Sequence, residues 1–179
     1  MESELLCGSA CINYIITKDN KKNSIKIKPN MIWAPELAIA LQENEYKDIT
    51  IYYYRSKLVE DFKIQSQDES FEGFLYLRRA ISEGIKVCEK KISRKILSDE
   101  IKQNKYIILC VKSSVFNKDN TMDGGHFVIL TDIYKNKIKI INPVKKKYEE
   151  KWLKINFLLK CCSNYGAWRI LIRKENAYD

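Results

Sequence analysis

A single histidine, His126, has to serve all 179 residues. Chemistry that needs two imidazoles, a His-x-x-x-His zinc site above all, is therefore excluded within one copy of the chain. Proline and glycine are scarce, three and six residues, while 45% of the chain is apolar. That balance argues against a disordered or fibrous chain and points to a folded one with a real core. No apolar run approaches the ~18 residues that a membrane-spanning helix needs. The opening Met1-Glu2-Ser3-Glu4-Leu5-Leu6 is acidic where a secretory leader is basic, and the apolar residues of 12–16 run into Lys18 without a cleavage pattern. The expectation is one cytoplasmic domain spanning 1–179, with no membrane contact.

What the chain does have is lysine and cysteine. Its net charge of +9 is concentrated in two runs, Lys18, Lys21, Lys22, Lys26 and Lys28, then Lys135, Lys137, Lys139, Lys145, Lys146 and Lys147. A basic surface attracts nucleic acid or acidic peptides. No recognition helix, zinc module or RNA-binding motif accompanies the charge, so nucleic acid is not expected as a partner. The abundance of Ile, Asn, Tyr and Lys together fits drift toward A/T-rich codons, with a solvated lysine face as its result. The cysteines stand at 7, 11, 88, 110, 161 and 162. Cys88 and Cys110 lie inside apolar runs, where a thiol behaves as a small hydrophobe, and a reducing compartment argues against three disulfides.

Residues 9–17 read as a short buried helix entered through Gly8. Pro35 suits a helix's first turn, and Leu37, Ala38 and Leu41 give residues 35–44 one packed face. Residues 49–54 are β-branched and aromatic, a strand. A helix marked by Phe71, Leu75, Ala80 and Ile81 ends near Gly84. Strands follow at 85–88, 106–111, 126–130, 138–141 and 168–172, with helices at 95–103 and 152–159 and a turn at 134–137. Helices first and an antiparallel meander after them make the class α+β.

Three residues in this layout suggest chemistry. Cys7 stands at the start of the first helix, where backbone NH groups and the helix dipole favour a thiolate, the form that attacks carbonyls. His126 begins a strand directly after Gly124-Gly125 and can face a cleft while Phe127 to Leu130 anchor it. Asn142 ends the next strand, before Pro143. If the two strands form a hairpin through the 134–137 turn, His126 and Asn142 share its open end. Asn142 then accepts a hydrogen bond from one imidazole nitrogen and leaves the other facing Cys7, which gives nucleophile, base and orienter.

These residues resemble a known family. Cys7-Gly8-Ser9-Ala10-Cys11 is similar to the Cys-Gly-x-Ala-Cys signature of C39-like, papain-like cysteine peptidases, and Gly125-His126-Phe127 with Asn142-Pro143 resembles their His strand and downstream Asp/Asn-Pro. Trp33 with Leu37-Ala38, the 84–87 strand, Ser113-x-Val115 and the 157–171 stretch are similar to the guanylyl cyclase domain-containing branch of that family. The resemblance implies a papain-like fold, N-terminal helices packed on an antiparallel β-sheet. It also implies a cysteine peptidase that cleaves a peptide or precursor leader through Cys7, His126 and Asn142, with no cofactor or metal. The lysine-rich surface suggests an acidic peptide or protein substrate. The family's Gln six residues before the nucleophile is Met1 here, and its Asp just before the Cys is Leu6. An oxyanion hole would then rest on the Cys7 NH and another donor.

Other readings compete. Cys7 and Cys11 with Cys161 and Cys162 make four thiolates for zinc, though not at Cys-x-x-Cys spacing. Cyclase activity lacks a phosphate loop and a pair of metal-binding carboxylates. The same triad also serves a thiol acyltransferase, because the thioester is common to both reactions. A non-catalytic binding module that kept the fold is the third class.

Overall fold

The computed structural model describes residues 6–21, 27–54, 67–118, 124–144, 147–162 and 168–173, side chains within 67–71 excepted. Its strands are β1 (Ile49–Tyr53), β2 (Lys86–Glu89), β3 (Asn104–Lys112), β4 (Gly125–Tyr134), β5 (Lys137–Val144), β6 (Lys147–Lys154) and β7 (Arg169–Arg173). Its helices are α1 (Cys7–Lys18), α2 (Ala34–Glu43), α3 (Gln67–Ser82), α4 (Arg94–Gln103), α5 (Ser113–Asn117) and α6 (Ile155–Cys162). The strands form one sheet in the order β2-β1-β7-β3-β4-β5-β6.

The class is α+β, but the sheet is mixed rather than antiparallel throughout. β1 and β2 pair in parallel, Thr50 with Lys86, because α3 carries the chain back over the sheet between them; a parallel pair needs such a crossover. Helices also cover both faces rather than one. On the first face, α1 presents Gly8, Cys11, Ile12, Ile15 and Ile16, the spacing of one helical stripe. α2 is buried from Ala34 through Leu41, as a helix enclosed on several sides must be. On the second face, Leu97 and Ile101 of α4 and Ile155, Leu158, Cys161 and Cys162 of α6 form a separate cluster. The central strands feed both clusters by alternation: Ile108 and Ile129 point to the first, Leu109 and Val128 to the second. Their continuous apolar runs in the sequence are the mark of strands covered on both sides.

One expected element differs. Residues 152–154 extend a strand instead of starting a helix. Lys147–Lys154 is rich in Lys and Glu, which favour helix intrinsically. Pairing with β5, Ile140 opposite Lys151 and Ile141 opposite Glu150, overrides that preference. A diagonal Lys139–Glu150 bridge of 2.7 Å reinforces it. α6 starts only at Ile155, where apolar residues recur three apart.

A buried ion pair ties the second face together. Arg169 on β7 is fully buried, and its guanidinium donates two hydrogen bonds to Glu100 on α4, 2.7 and 2.9 Å, and a third to the Lys90 carbonyl at 3.2 Å. Lys90 Nζ also lies 3.3 Å from Glu100, and the Tyr52 ring lies 4.8 Å from the guanidinium carbon. Removing one partner leaves a buried charge without its counter-charge. Glu100→Gln is expected to cost about 3–5 kcal/mol in urea unfolding, and the double variant Glu100→Leu/Arg169→Met distinctly less. Equal losses in both would show that the charges themselves do not matter.

Candidate active site

The site forms where β4 and β5 part. Their ladder runs from Tyr134↔Lys137 to Ile129↔Ile141. Beyond that point β4 goes on pairing with β3, through Val111↔His126, and β5 with β6, through Asn142↔Glu149. His126 is three residues past Ile129 and Asn142 is one past Ile141. Both offsets are odd, so alternation sends both side chains to the same face. There, His126 Nε2 and Asn142 Oδ1 lie 2.7 Å apart. A carboxamide oxygen only accepts, so Nε2 carries the proton and donates, and Nδ1 is left for another partner. Asn142 is buried, and Pro143, just past the ladder's end, has no NH to extend it.

That other partner is Cys7. It is the first residue of α1, and Leu6 before it offers no side-chain cap. The sulfur accepts hydrogen bonds from His126 and from the backbone NH groups of Phe127 and Gly8. Burial pushes the Cys7 thiol up, but the His126 hydrogen bond, the His126 charge and the two NH groups outweigh it and bring the pKa below the ordinary value near 9. For His126 burial lowers the pKa, and the Cys7 hydrogen bond, the Cys7 charge and the Asn142 hydrogen bond outweigh it in the opposite direction. Each group therefore favours the other's charged form, a thiolate beside an imidazolium.

Local packing explains why Cys7 is held there. A Cβ on Gly8 would come 2.5 Å from the Met31 carbonyl oxygen, so no larger residue fits without moving one of the two. Ser9 is fully buried; its hydroxyl donates to the Lys28 carbonyl at 2.7 Å and accepts from Met31 NH at 3.0 Å. Leu6 NH donates to the Pro29 carbonyl at 2.9 Å. Farther along α1, Cys11 Sγ donates to the Phe127 carbonyl at 3.6 Å, while Tyr148 of β6 donates to the Ala10 carbonyl at 3.2 Å and accepts from Asn13 at 3.1 Å. The helix is thus fastened to β4, which carries His126, and to β6, which pairs with the strand that carries Asn142.

The structure brings all three expected residues together. It does not assemble the four-thiolate alternative. Cys7 and Cys11 pack with the first face's cluster, whereas Cys161 and Cys162 belong to the second. Among the described residues no group of three or more His, Cys, Asp and Glu is placed to hold a metal, and no helix is long and apolar enough to cross a membrane. All six cysteines are free thiols. Met1, at the position of the expected Gln, lies outside the described residues. Ser9 and Tyr148 are positioning residues that sequence reasoning missed. Ser9 had a signal, a hydroxyl within an otherwise apolar buried turn. Tyr148 had none, because its strand was not expected.

Comparison with family models, curated proteins and solved structures returns no match for this chain. The functional reading therefore stands on the geometry.

Cys11 and Cys162 are pushed well up by burial and Cys161 to about 11, all opposite in direction to Cys7. Iodoacetamide at pH 6 is expected to label Cys7 at least about tenfold faster than any other thiol, with the rate rising through a midpoint below 9. His126→Ala removes the main opposing influences to burial and moves that midpoint upward. Uniform labelling, or a midpoint indifferent to His126, would refute the ion pair. Gly8→Ala is expected to slow Cys7 labelling and to cost about 1–3 kcal/mol in unfolding, because the helix must back away from Met31.

Proposed function

We propose that this chain is a papain-like cysteine hydrolase of the C39-like kind, acting on a peptide or precursor leader in a reducing cytoplasm. The observation that supports it is the continuous hydrogen-bond chain from Cys7 through His126 to Asn142. The Cys7 thiolate adds to the carbonyl carbon of the scissile bond, and negative charge moves to the carbonyl oxygen. The Cys7 NH is one of the first four of α1, which have no intrahelical acceptor, and it is a donor for that oxygen together with the helix dipole. The carbon–nitrogen bond then breaks, and the amine leaves with the proton that His126 held on Nδ1.

A thioester on Cys7 remains. Water gives a proton to Nδ1 and its oxygen adds to the thioester carbon; the carbon–sulfur bond breaks, restoring thiolate and imidazolium and releasing the carboxyl product. Asn142 holds the ring through Nε2 in both steps, so that Nδ1 always faces the sulfur.

A defined library of acetylated decapeptides, read by mass spectrometry for new termini, tests this. Hydroxylamine added to the same incubation should intercept the thioester as a hydroxamate. Cys7→Ala is expected to abolish both products, and His126→Ala to slow their formation by about 10²-fold or more. Asn142→Ala should cost less and narrow the pH range over which the enzyme works, since it releases one support of the imidazolium. Absence of any Cys7-dependent terminus or hydroxamate would overturn the proposal.

A further inference from the structure

A groove of about 480 Å³ opens between α5, the end of β6 and α6. Phe116, Trp152 and Phe157 line it together with Lys118, Lys151 and Lys154, and no acidic residue is among its described lining residues. Phe116 links this groove to the candidate active site, because its ring centre lies 5.7 Å from that of His126. The sheet register leads the same way. Asn142 pairs with Glu149, and Lys151, the next residue on that face of β6, pairs with Ile140. The groove thus begins one side chain beyond His126.

Trp152 keeps 45% of its surface exposed, in a strand whose other residues are Tyr148, Leu153 and five charged ones. Among the described residues Lys151 reaches a carboxylate, Glu149 at 2.5 Å, whereas Lys118 and Lys154 enter no ion pair.

We infer that this groove is a specificity subsite that takes a substrate segment in which Asp or Glu alternates with apolar side chains. The rings would cover the apolar side chains and the ammonium groups would meet the carboxylates at the rim. The inference rests on the Cys7 reading for why a peptide should lie here, yet binding in the groove is separable from chemistry at the sulfur. A nucleic acid fits less well. It needs an unbroken track of cations for successive phosphates, and β6 interrupts that track with Glu149 and Glu150, the latter already bridged to Lys139.

Binding to the Cys7→Ala chain is measured by calorimetry and by Trp fluorescence. The probes are acetyl-Leu-Glu-Leu-Glu-Leu-Glu-Leu-amide, its counterpart with Gln at every Glu position, and a twelve-nucleotide oligouridylate. The Glu peptide is expected to bind about tenfold or more tighter than the Gln peptide at low salt, and the gap to shrink as salt rises. Lys118→Glu/Lys154→Glu should abolish the difference, whereas Lys47→Glu/Lys86→Glu, at the cleft lined by β1 and Gly84, should preserve it. Equal binding of the two peptides, indifference to the Lys118/Lys154 reversal, or tighter oligouridylate binding with the same dependence on those lysines would overturn the subsite. Because the measurement uses Cys7→Ala, a failed subsite leaves the labelling and hydroxamate results untouched, and a failed hydrolase reading leaves these affinities untouched.

Discussion

Between β4 and β5 the backbone ladder stops at Ile129 and Ile141, while each strand goes on pairing with its other neighbour. Two strands that separate inside a sheet leave a gap whose polar backbone groups need partners. Here the gap is closed by side chains and by a helix end. His126 and Asn142 bridge it, and the Phe127 NH on its rim goes to the Cys7 sulfur. The site is in this sense a repair of the sheet, and its three residues come together because the sheet would otherwise be left open.

The repair is also an electrostatic compromise. Withdrawing a thiol or an imidazole from water disfavours its charged form, and both groups are largely withdrawn. Neither alone would hold a charge there. Together they do, because each supplies the other's counter-charge and two backbone NH groups and one carboxamide oxygen complete the set. Arg169 and Glu100 solve a similar problem on the far face in a structural rather than reactive way. There the bidentate guanidinium–carboxylate pair fastens β7 to α4.

The sequence was informative where local pattern decides the outcome. The stripe of α1, the position of Pro35, the apolar runs of β3 and β4 and the two-residue turn at Lys135 and Asn136 follow from spacing and composition, and they were enough to bring His126 and Asn142 to one hairpin end. It was silent where distant segments decide. Nothing local in Lys147–Lys154 says strand, because its pairing with β5 is what makes it one. Nothing local in Ile49–Tyr53 says that its neighbour will be parallel, or that the last strand, β7, will insert between β1 and β3. Ser9 and Gly8 could be recognised as a motif, but the physical reason for them, a carbonyl at Met31 that leaves no room for a Cβ, exists only once residues 28–31 have folded back.

The fastening of the first turn of α1 has a consequence in time. Cys7 precedes His126 and Asn142 in the chain and is therefore synthesised before either of them. Until β4, β5 and β6 have closed around the helix, the sulfur lacks the imidazole and the Phe127 NH that favour its thiolate, and it remains an ordinary, sluggish thiol. The setting that favours the thiolate thus arises only with completion of the fold.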